Sequence, residues 1–96
     1  MIKSFANNTA KDVFNGKNTK KARVLPNELH ERARRVLDQL NAAPTVDVLR
    51  VPPGNRLEQL RGDKEGKWSV RINDQWRVMF NWDDNSAANV EILDYH

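Results

Sequence analysis

The chain has 96 residues, a formal net charge of +3, 39% hydrophobic and 30% charged residues, and no cysteine. This length suits one domain, spanning residues 1–96, with one modest core. The lack of cysteine excludes disulfides, cysteine-based metal sites and a thiol nucleophile. No segment resembles a signal peptide or a membrane span, so the simplest expectation is a bacterial cytoplasmic protein.

The basic residues are unevenly distributed along the chain. All sixteen Lys and Arg residues lie between Lys3 and Arg77, and the last nineteen residues contain four acids and no Lys or Arg. This asymmetry suits a protein whose basic flank contacts phosphate groups.

The first half of the chain predicts helices. Residues 2–5 are a strand candidate for a sheet edge, and Thr9 is expected to cap a short helix that ends at Gly16. The cationic stretch from Lys17 to Arg23 predicts a mobile, solvated loop. A long helix is predicted from Pro26 to Ala43, because apolar residues recur there at the spacing that places them along one side of an α-helix.

Three arginines lie on this predicted long helix, at Arg32, Arg34 and Arg35. They could form an RNA-binding face, although a solvated helix surface is the commoner explanation for such a group. His30 has no second histidine at metal-ligand spacing, so zinc is not expected here. The following stretch, residues 45–51, predicts a helical turn packed on the core.

The second half predicts an antiparallel sheet. Residues 67–72 and 75–82 both alternate between apolar and polar side chains, which is typical of half-buried strands. The positions expected to face the core are Trp68, Val70, Ile72, Trp76, Val78, Phe80 and Trp82. Before them, residues 55–61 predict a strand with a bulge between Leu57 and Leu60, a feature that is common beside active sites.

The loop between the two alternating runs sets which residues oppose each other. A two-residue loop would pair Val70 with Arg77 and place an arginine in the core. A three-residue loop, residues 73–75, pairs Val70 with Val78 and Arg71 with Arg77, and we favour it. Two arginines then face each other on the non-core side, which is unfavourable unless something anionic binds them.

The last run, residues 88–96, is predicted to pair with the strand that carries Arg77. Two registers keep the aromatic core intact, and they place Arg77 opposite Leu93 or Tyr95, so Tyr95 lies beside Arg77 in both. Alternation puts Asp94 and His96 on the other face, although a chain end is free to twist. A simpler interpretation makes Tyr95 a rim aromatic and His96 a frayed end.

Several short motifs follow one another in a characteristic order along the second half of the chain. They are Pro52-Pro53-Gly54-Asn55-Arg56-Leu57-Glu58, then Gly62-Asp63 followed by Gly66-Lys67-Trp68-Ser69-Val70-Arg71, then Asn73-Asp74-Gln75-Trp76-Arg77, and finally Asp94-Tyr95-His96. Together with the opening residues 1–5, this set resembles the HigB group of the RelE toxin superfamily, the plasmid-maintenance killer proteins of type II toxin–antitoxin pairs. The resemblance covers nearly the whole chain and is weakest over residues 15–29.

The resemblance implies an α+β fold in which two N-terminal helices pack on one face of a twisted, mainly antiparallel sheet. It implies an endoribonuclease that needs neither metal nor other cofactor and that inhibits translation by cutting mRNA in the ribosomal A site. The implied partners are the ribosome, mRNA and a HigA-type helix-turn-helix antitoxin, with DNA contacted only through the antitoxin.

Matched by position, the resemblance assigns phosphate binding to Arg77 and a C-terminal catalytic cluster to Asp94, Tyr95 and His96. Arg61 falls where relatives carry a functional Lys or Arg. Such residues suit the chemistry, because metal-free RNA cleavage needs a base for the 2′-OH, an acid for the 5′-oxygen and donors for the phosphate charge. The arginines are planar donors, and His96 titrates near neutrality.

One position departs from the family. Some members have a histidine roughly where Glu58 stands, and Glu58 could be a base in its place or only a charged strand residue. The resemblance and the basic character of this region also predict a set of RNA-contacting residues. They are Asn55, Arg56, Lys64, Lys67 and Arg71.

Two other classes of function remain open at this point. The chain could be a non-catalytic RNA- or ribosome-binding module that uses the same basic face. It could also be a subunit whose only role is to bind its partner repressor.

Overall fold

The alternating runs of the second half form a four-stranded antiparallel sheet in the order β1-β2-β3-β4. This computed structural model describes residues 1–62 and 66–95. Its strands are β1 (Glu58–Gln59), β2 (Lys67–Arg71), β3 (Trp76–Asp83) and β4 (Ser86–Asp94). The expected edge strand at residues 2–5 is present as two parallel bridges to β4, from Ile2 and from Phe5.

Two helices precede the sheet, as expected, but they begin at different residues from those predicted. Helix α1 (Asn8–Phe14) is capped by Asn7, whose side-chain oxygen accepts a hydrogen bond from the Ala10 N–H at 3.0 Å. Thr9 is buried and instead donates its hydroxyl to the carbonyl of Lys21 at 2.9 Å. The predicted Thr9 cap is therefore wrong, because its hydroxyl already has a partner elsewhere.

Helix α2 (His30–Ala42) is shorter than the predicted span from Pro26 to Ala43. A separate 3-10 turn, Asn27–Leu29, takes up its expected first turn. The buried side of α2 follows the predicted apolar stripe. It consists of Ala33, Val36, Leu37 and Leu40.

The cationic stretch from Lys17 to Arg23 is hydrogen-bonded to α1 and is not a simple solvated loop. Thr19 donates its hydroxyl to the carboxylate of Asp12 at 2.6 Å and accepts the Ala22 N–H at 3.1 Å. Ala22 begins a 3-10 turn and is fully buried, while the lysines stay exposed. Small and hydroxyl side chains between the lysines thus hold this stretch on the protein.

The strand predicted over residues 55–61 contains only two strand residues, those of β1. The chain first makes a 3-10 turn at Pro53–Asn55, and Arg56 then adopts a left-handed conformation with φ 47°. Extended structure cannot include such a residue, so the strand starts later. Leu57 and Leu60 are both buried on either side of β1. The predicted helical turn after α2 is present as a 3-10 turn at Val46–Arg50.

The register shift of the sheet lies between β3 and β4. Met79 pairs with Glu91 and Asn81 with Ala88, so β4 has one extra residue between these pairs. Asn89 lies in this interval with a left-handed φ of 54°. A bulge of this kind increases the local twist of a sheet.

The core lies between the helices and one face of the sheet. The side chains that were predicted to face the core do so: Val70, Ile72, Val78 and Phe80 are almost completely buried, and Trp68 and Trp82 pack against them while partly exposed. Both helices are N-terminal and cover this face, which agrees with the expected α+β fold. Neither helix of the described chain is long and apolar enough to cross a membrane.

Replacing Phe80 with alanine should lower the free energy of unfolding by roughly 3–5 kcal/mol, because Phe80 is fully buried and its loss leaves a cavity. Trp68→Ala should cost less, since Trp68 is already partly exposed. Urea unfolding of both variants and the parent checks the order. An equal or larger loss for Trp68→Ala would mean that Trp68, the cross-strand partner of Phe80, is as important to the core as Phe80 despite its partial exposure.

Candidate active site

The face of the sheet turned away from the helices carries the polar side chains of the alternating runs. Ser69 and Met79 are cross-strand partners on this face, and both are nearly fully buried. Their neighbours along the strands are long basic side chains whose aliphatic parts can cover them: Lys67, Arg71 and Arg77. The face is therefore more enclosed than the alternation predicted, and it combines a buried floor with charged groups.

Arg71 and Arg77 are direct cross-strand partners at one end of this face. The hairpin has the predicted three-residue loop, because the N–H of Ile72 donates to the carbonyl of Trp76 at 2.9 Å. The Nε atom of Arg71 and the Nε and Nη1 atoms of Arg77 are buried and have no hydrogen-bond partner among the described residues. Buried donors without partners are costly, by about 1–3 kcal/mol each and more when charged, so this arrangement favours an anionic ligand.

Two groups of the chain lessen the repulsion between these arginines. The Asp74 carboxylate lies 2.5 Å from Nη2 of Arg71. The ring of Tyr95 lies under the guanidinium of Arg77, with 5.2 Å between Cζ and the ring centroid. The register opposes Arg77 to Leu93, which is the first of the two alternatives, and the predicted proximity of Tyr95 to Arg77 is confirmed.

The loop before β3 also contacts the C-terminal segment. Gln75 donates its side-chain N–H to Oδ2 of Asp94 at 2.9 Å, and its carbonyl accepts the N–H of Tyr95 at 2.6 Å. Asp94 pairs with Trp76 at the last position of β4. The remaining member of the predicted cluster, His96, lies outside the described residues.

Glu58 lies on the same face as the arginine pair. It is the cross-strand partner of Ser69, which is two residues from Arg71, and it is exposed. Arg61 lies beyond the opposite end of β2 from Arg71, because the β1–β2 register continues to place it across from Gly66, about 17 Å away along the strand at ~3.3 Å per residue. The structure therefore brings Glu58 towards the arginine pair and leaves Arg61 apart from it. Arg61 lines a separate surface groove of about 360 Å³ with Gln59, Leu60 and Gly62.

The predicted RNA-contacting residues are placed differently from one another. Arg56 is exposed, and Lys67 lies half-buried on the face of the arginine pair. Asn55 is 4% exposed and donates its amide to Gln39, to the Leu49 carbonyl at 3.0 Å and to that of Val51. Its amide is thus used within the turn, and its RNA contact stays a prediction. Lys64 lies outside the described residues.

Two residues near the site were missed by the sequence interpretation, which treated Asp74 and Gln75 only as part of a turn. Asp74 follows Arg71 at a spacing of three residues, and that spacing is the signal that could have suggested their ion pair. Gln75 carried no such signal, because its contacts are with residues nineteen and twenty positions later.

The described residues contain no group of three or more acidic or histidine side chains that could hold a metal ion. A ring nitrogen, Nε2, of His30 lies 2.8 Å from the carbonyl oxygen of Leu25. This contact ties the start of α2 to the preceding segment, which makes His30 structural.

The fold matches one that is found in solved toxin–antitoxin complexes. Two solved structures of the YoeB–YefM toxin–antitoxin complex from Staphylococcus aureus, one described as heterotetrameric, each superpose with a TM-score of 0.62, covering 100% of this chain and 98% of theirs. Their sequence identity to this chain is 16%, so they establish the architecture alone.

The chain belongs to the HigB family of RelE-like toxins of type II toxin–antitoxin systems, since that family's profile matches residues 3–96. Toxin HigB-1 of Vibrio cholerae is 42% identical over 77 residues, 80% of each protein. An uncharacterised Haemophilus influenzae protein is 33% identical, over 75% of this chain and 70% of its own length. Endoribonuclease HigB of Proteus vulgaris is 37% identical, over 43% of this chain and 45% of its own length. The expected classification as a toxin of the endoribonuclease family is thereby confirmed.

The site geometry predicts that the parent protein binds inorganic phosphate at the arginine pair. Arg77→Met removes two of the buried unpartnered nitrogens at similar length, so the variant should be as stable as the parent or more stable, by up to about 1–4 kcal/mol. Phosphate at three times its dissociation constant should stabilise the parent by about 0.8 kcal/mol through linkage. It should stabilise Arg77→Met less.

Thermal unfolding in phosphate and in chloride at matched ionic strength measures this difference. The variant also controls for the general stabilisation of folded proteins by phosphate. An equal gain in both proteins would show that the anion does not bind at Arg77.

Proposed function

We propose that this toxin is a ribosome-dependent, metal-independent endoribonuclease that cuts mRNA in the ribosomal A site and so stops translation. The observation that carries the proposal is the pair Arg71 and Arg77, whose buried guanidinium nitrogens lack partners among the described residues. Beside this pair lies the ring of Tyr95. A phosphodiester fits such a site, because it brings both negative charge and several acceptor oxygens.

Arg77 has the role of stabilising the charge that develops on the phosphate. During attack, the 2′-oxygen bonds to phosphorus and the bond to the 5′-oxygen breaks, which leaves a cyclic phosphate and a 5′-hydroxyl. Negative charge builds up on the non-bridging oxygens between these events. A fixed guanidinium stabilises that charge without reorganising, and groups of this kind typically contribute about 10²–10³ in rate.

Two proton transfers complete the reaction. The proton of the 2′-OH goes to a base, for which Asp94 and Glu58 are the candidates among the described residues. The leaving 5′-oxygen receives a proton from an acid, for which His96 and Tyr95 are the candidates. Tyr95 can also stack on a base of the RNA, because its ring is 40% exposed.

Arg56, Arg61, Lys64 and Lys67 are proposed to hold the flanking RNA backbone. Arg61 is too far along β2 to share the scissile phosphate with Arg77, so it would contact a different nucleotide. Each such contact is a phosphate contact that adds affinity and salt dependence without reading sequence.

The arrangement also supports dependence on the ribosome. Among the described residues, those proposed for catalysis lie along the open face and at the end of the sheet, where Glu58, Asp94 and Tyr95 are exposed. A site of this kind provides few contacts to orient free RNA, whereas a codon held in the A site arrives already aligned. Alignment of the reacting groups accounts for a large part of many rate enhancements.

The proposed protein partner is a HigA-type helix-turn-helix antitoxin. The fold relatives named above were solved as toxin–antitoxin complexes, which supports an antitoxin for this chain as well. DNA would be contacted only through that antitoxin. Since ribosomes and mRNA are the targets, the proposed location is the bacterial cytoplasm.

Arg77→Ala should reduce cleavage of ribosome-bound mRNA by about 10²–10³ while the protein remains folded, since Arg77 lies outside the core. Arg32→Ala removes an exposed arginine from α2, on the other side of the sheet, and is the matched control. Mapping of mRNA 5′ ends after induced expression without antitoxin gives the readout. Loss of cleavage with Arg32→Ala but not Arg77→Ala would move the site to the helix.

The same assay separates the other two classes of function. A non-catalytic ribosome-binding module would inhibit translation without new mRNA 5′ ends. A subunit that only binds a repressor would leave growth unaffected when it is expressed alone.

Deletion of His96 should leave the melting temperature nearly unchanged and reduce cleavage by about 10²-fold or more if His96 transfers a proton. Tyr95→Phe then shows whether the ring acts by stacking, which phenylalanine preserves, or through its hydroxyl. Glu58→Gln tests the alternative base. Parental rates after deletion of His96 would restore the interpretation of a frayed end and point to Glu58.

A further inference from the structure

We infer that Gln75 is a positioning residue that holds the C-terminal catalytic segment in place through Asp94 and Tyr95. This inference rests on the proposed function, since it assigns a role within the same site. It goes beyond that function because nothing in the chemistry of cleavage requires a glutamine at the hairpin loop. The contacts that carry it are the two hydrogen bonds from this one residue to two successive residues of the C-terminal segment.

The first contact fixes the carboxylate. Asp94 is the cross-strand partner of Trp76, so strict alternation would direct its side chain towards the face of the core. The side-chain N–H of Gln75 holds Oδ2 of Asp94 at 2.9 Å, at the end of the sheet. A hydrogen bond to an ionised carboxylate is stronger than one between neutral groups, so it can select a single rotamer of an exposed side chain.

The second contact fixes the main chain. The carbonyl of Gln75 accepts the N–H of Tyr95 at 2.6 Å, which continues the β3–β4 pairing one residue past the last strand residue. Tyr95 is thereby kept in register, with its ring under Arg77. Without this bond the last residues of the chain would fray, as chain ends do when nothing holds them.

The loop that carries Gln75 is itself well supported. The side-chain oxygen of Asn73 accepts the N–H groups of Gln75 and Trp76, at 2.9 and 2.8 Å. The middle residue of the loop, Asp74, holds Arg71 from the other side. One three-residue loop therefore positions a phosphate-binding arginine and the catalytic carboxylate together. The relative placement of these two groups is what an in-line attack depends on.

The test uses Gln75→Met, which keeps the length of the side chain and the main-chain carbonyl but removes the amide donor. With mRNA-programmed ribosomes in excess over toxin, two quantities can be measured separately. They are the single-turnover rate of cleavage and the ribosome concentration that gives half of the maximal rate. We expect the rate to fall about 10- to 100-fold. We expect half-saturation to change less than about threefold, because Gln75 holds Asp94 and not the RNA.

A double-mutant cycle shows whether Gln75 acts through Asp94. In an Asp94→Ala background, Gln75→Met should have no further effect on the rate, because the group it positions is gone. In a Lys67→Met background, which serves as the control, Gln75→Met should keep its full effect. Gln75→Lys should recover part of the rate, since an ammonium can also donate to Asp94. An unchanged rate for Gln75→Met, or a full additional loss in the Asp94→Ala background, would overturn the inference.

One measurement does not depend on cleavage. In the parent, the two side-chain N–H resonances of Gln75 should differ from those of a solvated glutamine, and Asp94→Ala should move them to solvated values. If the parent cleaves no RNA, the proposed function fails, and this NMR comparison still decides whether Gln75 holds Asp94. If the resonances are already those of a free side chain, the positioning role fails even where cleavage is present.

Discussion

The opposition of Arg71 and Arg77 across β2 and β3 is the constraint on which the rest of the site depends. Like charges in directly opposed positions destabilise a sheet, and here several of their nitrogen atoms are also buried without partners in the described structure. Asp74 and the ring of Tyr95 each offset one arginine, but neither supplies acceptors to the inner nitrogens. The folded protein therefore presents unpartnered donors that an anion can bind. Locally unfavourable arrangements of this kind are common at functional sites.

The division of the molecule into two faces follows from the same strands. One face of the sheet carries the aromatic and aliphatic core under α1 and α2, which accounts for stability. The other carries a buried floor of Ser69 and Met79 with basic groups around it. Because successive side chains alternate between these faces, the site could change its chemistry without disturbing the core. The fold is shared with a protein of only 16% identity, which agrees with a core that does not depend on the residues of the other face.

Some of this was predictable from the sequence, and the reason is period-two alternation. Opposed residues must have side chains on the same face of the sheet. This requirement alone predicted the three-residue loop, the pairing of Arg71 with Arg77 and the proximity of Tyr95 to Arg77. The errors arose where several residues could compete for one role. Asn7 and Thr9 are both good caps, and burial decided between them. The use of the Asn55 amide inside the turn was also not apparent from the sequence, where Asn55 was grouped with its basic neighbour. The contacts of Gln75 join residues far apart in sequence, and no local pattern encodes them.

The amino-terminal residues pair with β4, and this has a consequence for the order in which the fold can assemble. The backbone of Ala6 donates to Val90, and the side chain of Asn7 bonds to both the N–H and the carbonyl of Ile92, across 85 positions. Such distant pairing cannot form until the final strand is available. A chain in which β4 has not yet joined the sheet therefore lacks the segment that holds Tyr95 under Arg77. The sheet and the candidate site are therefore completed by the same strand, and neither can form ahead of the other.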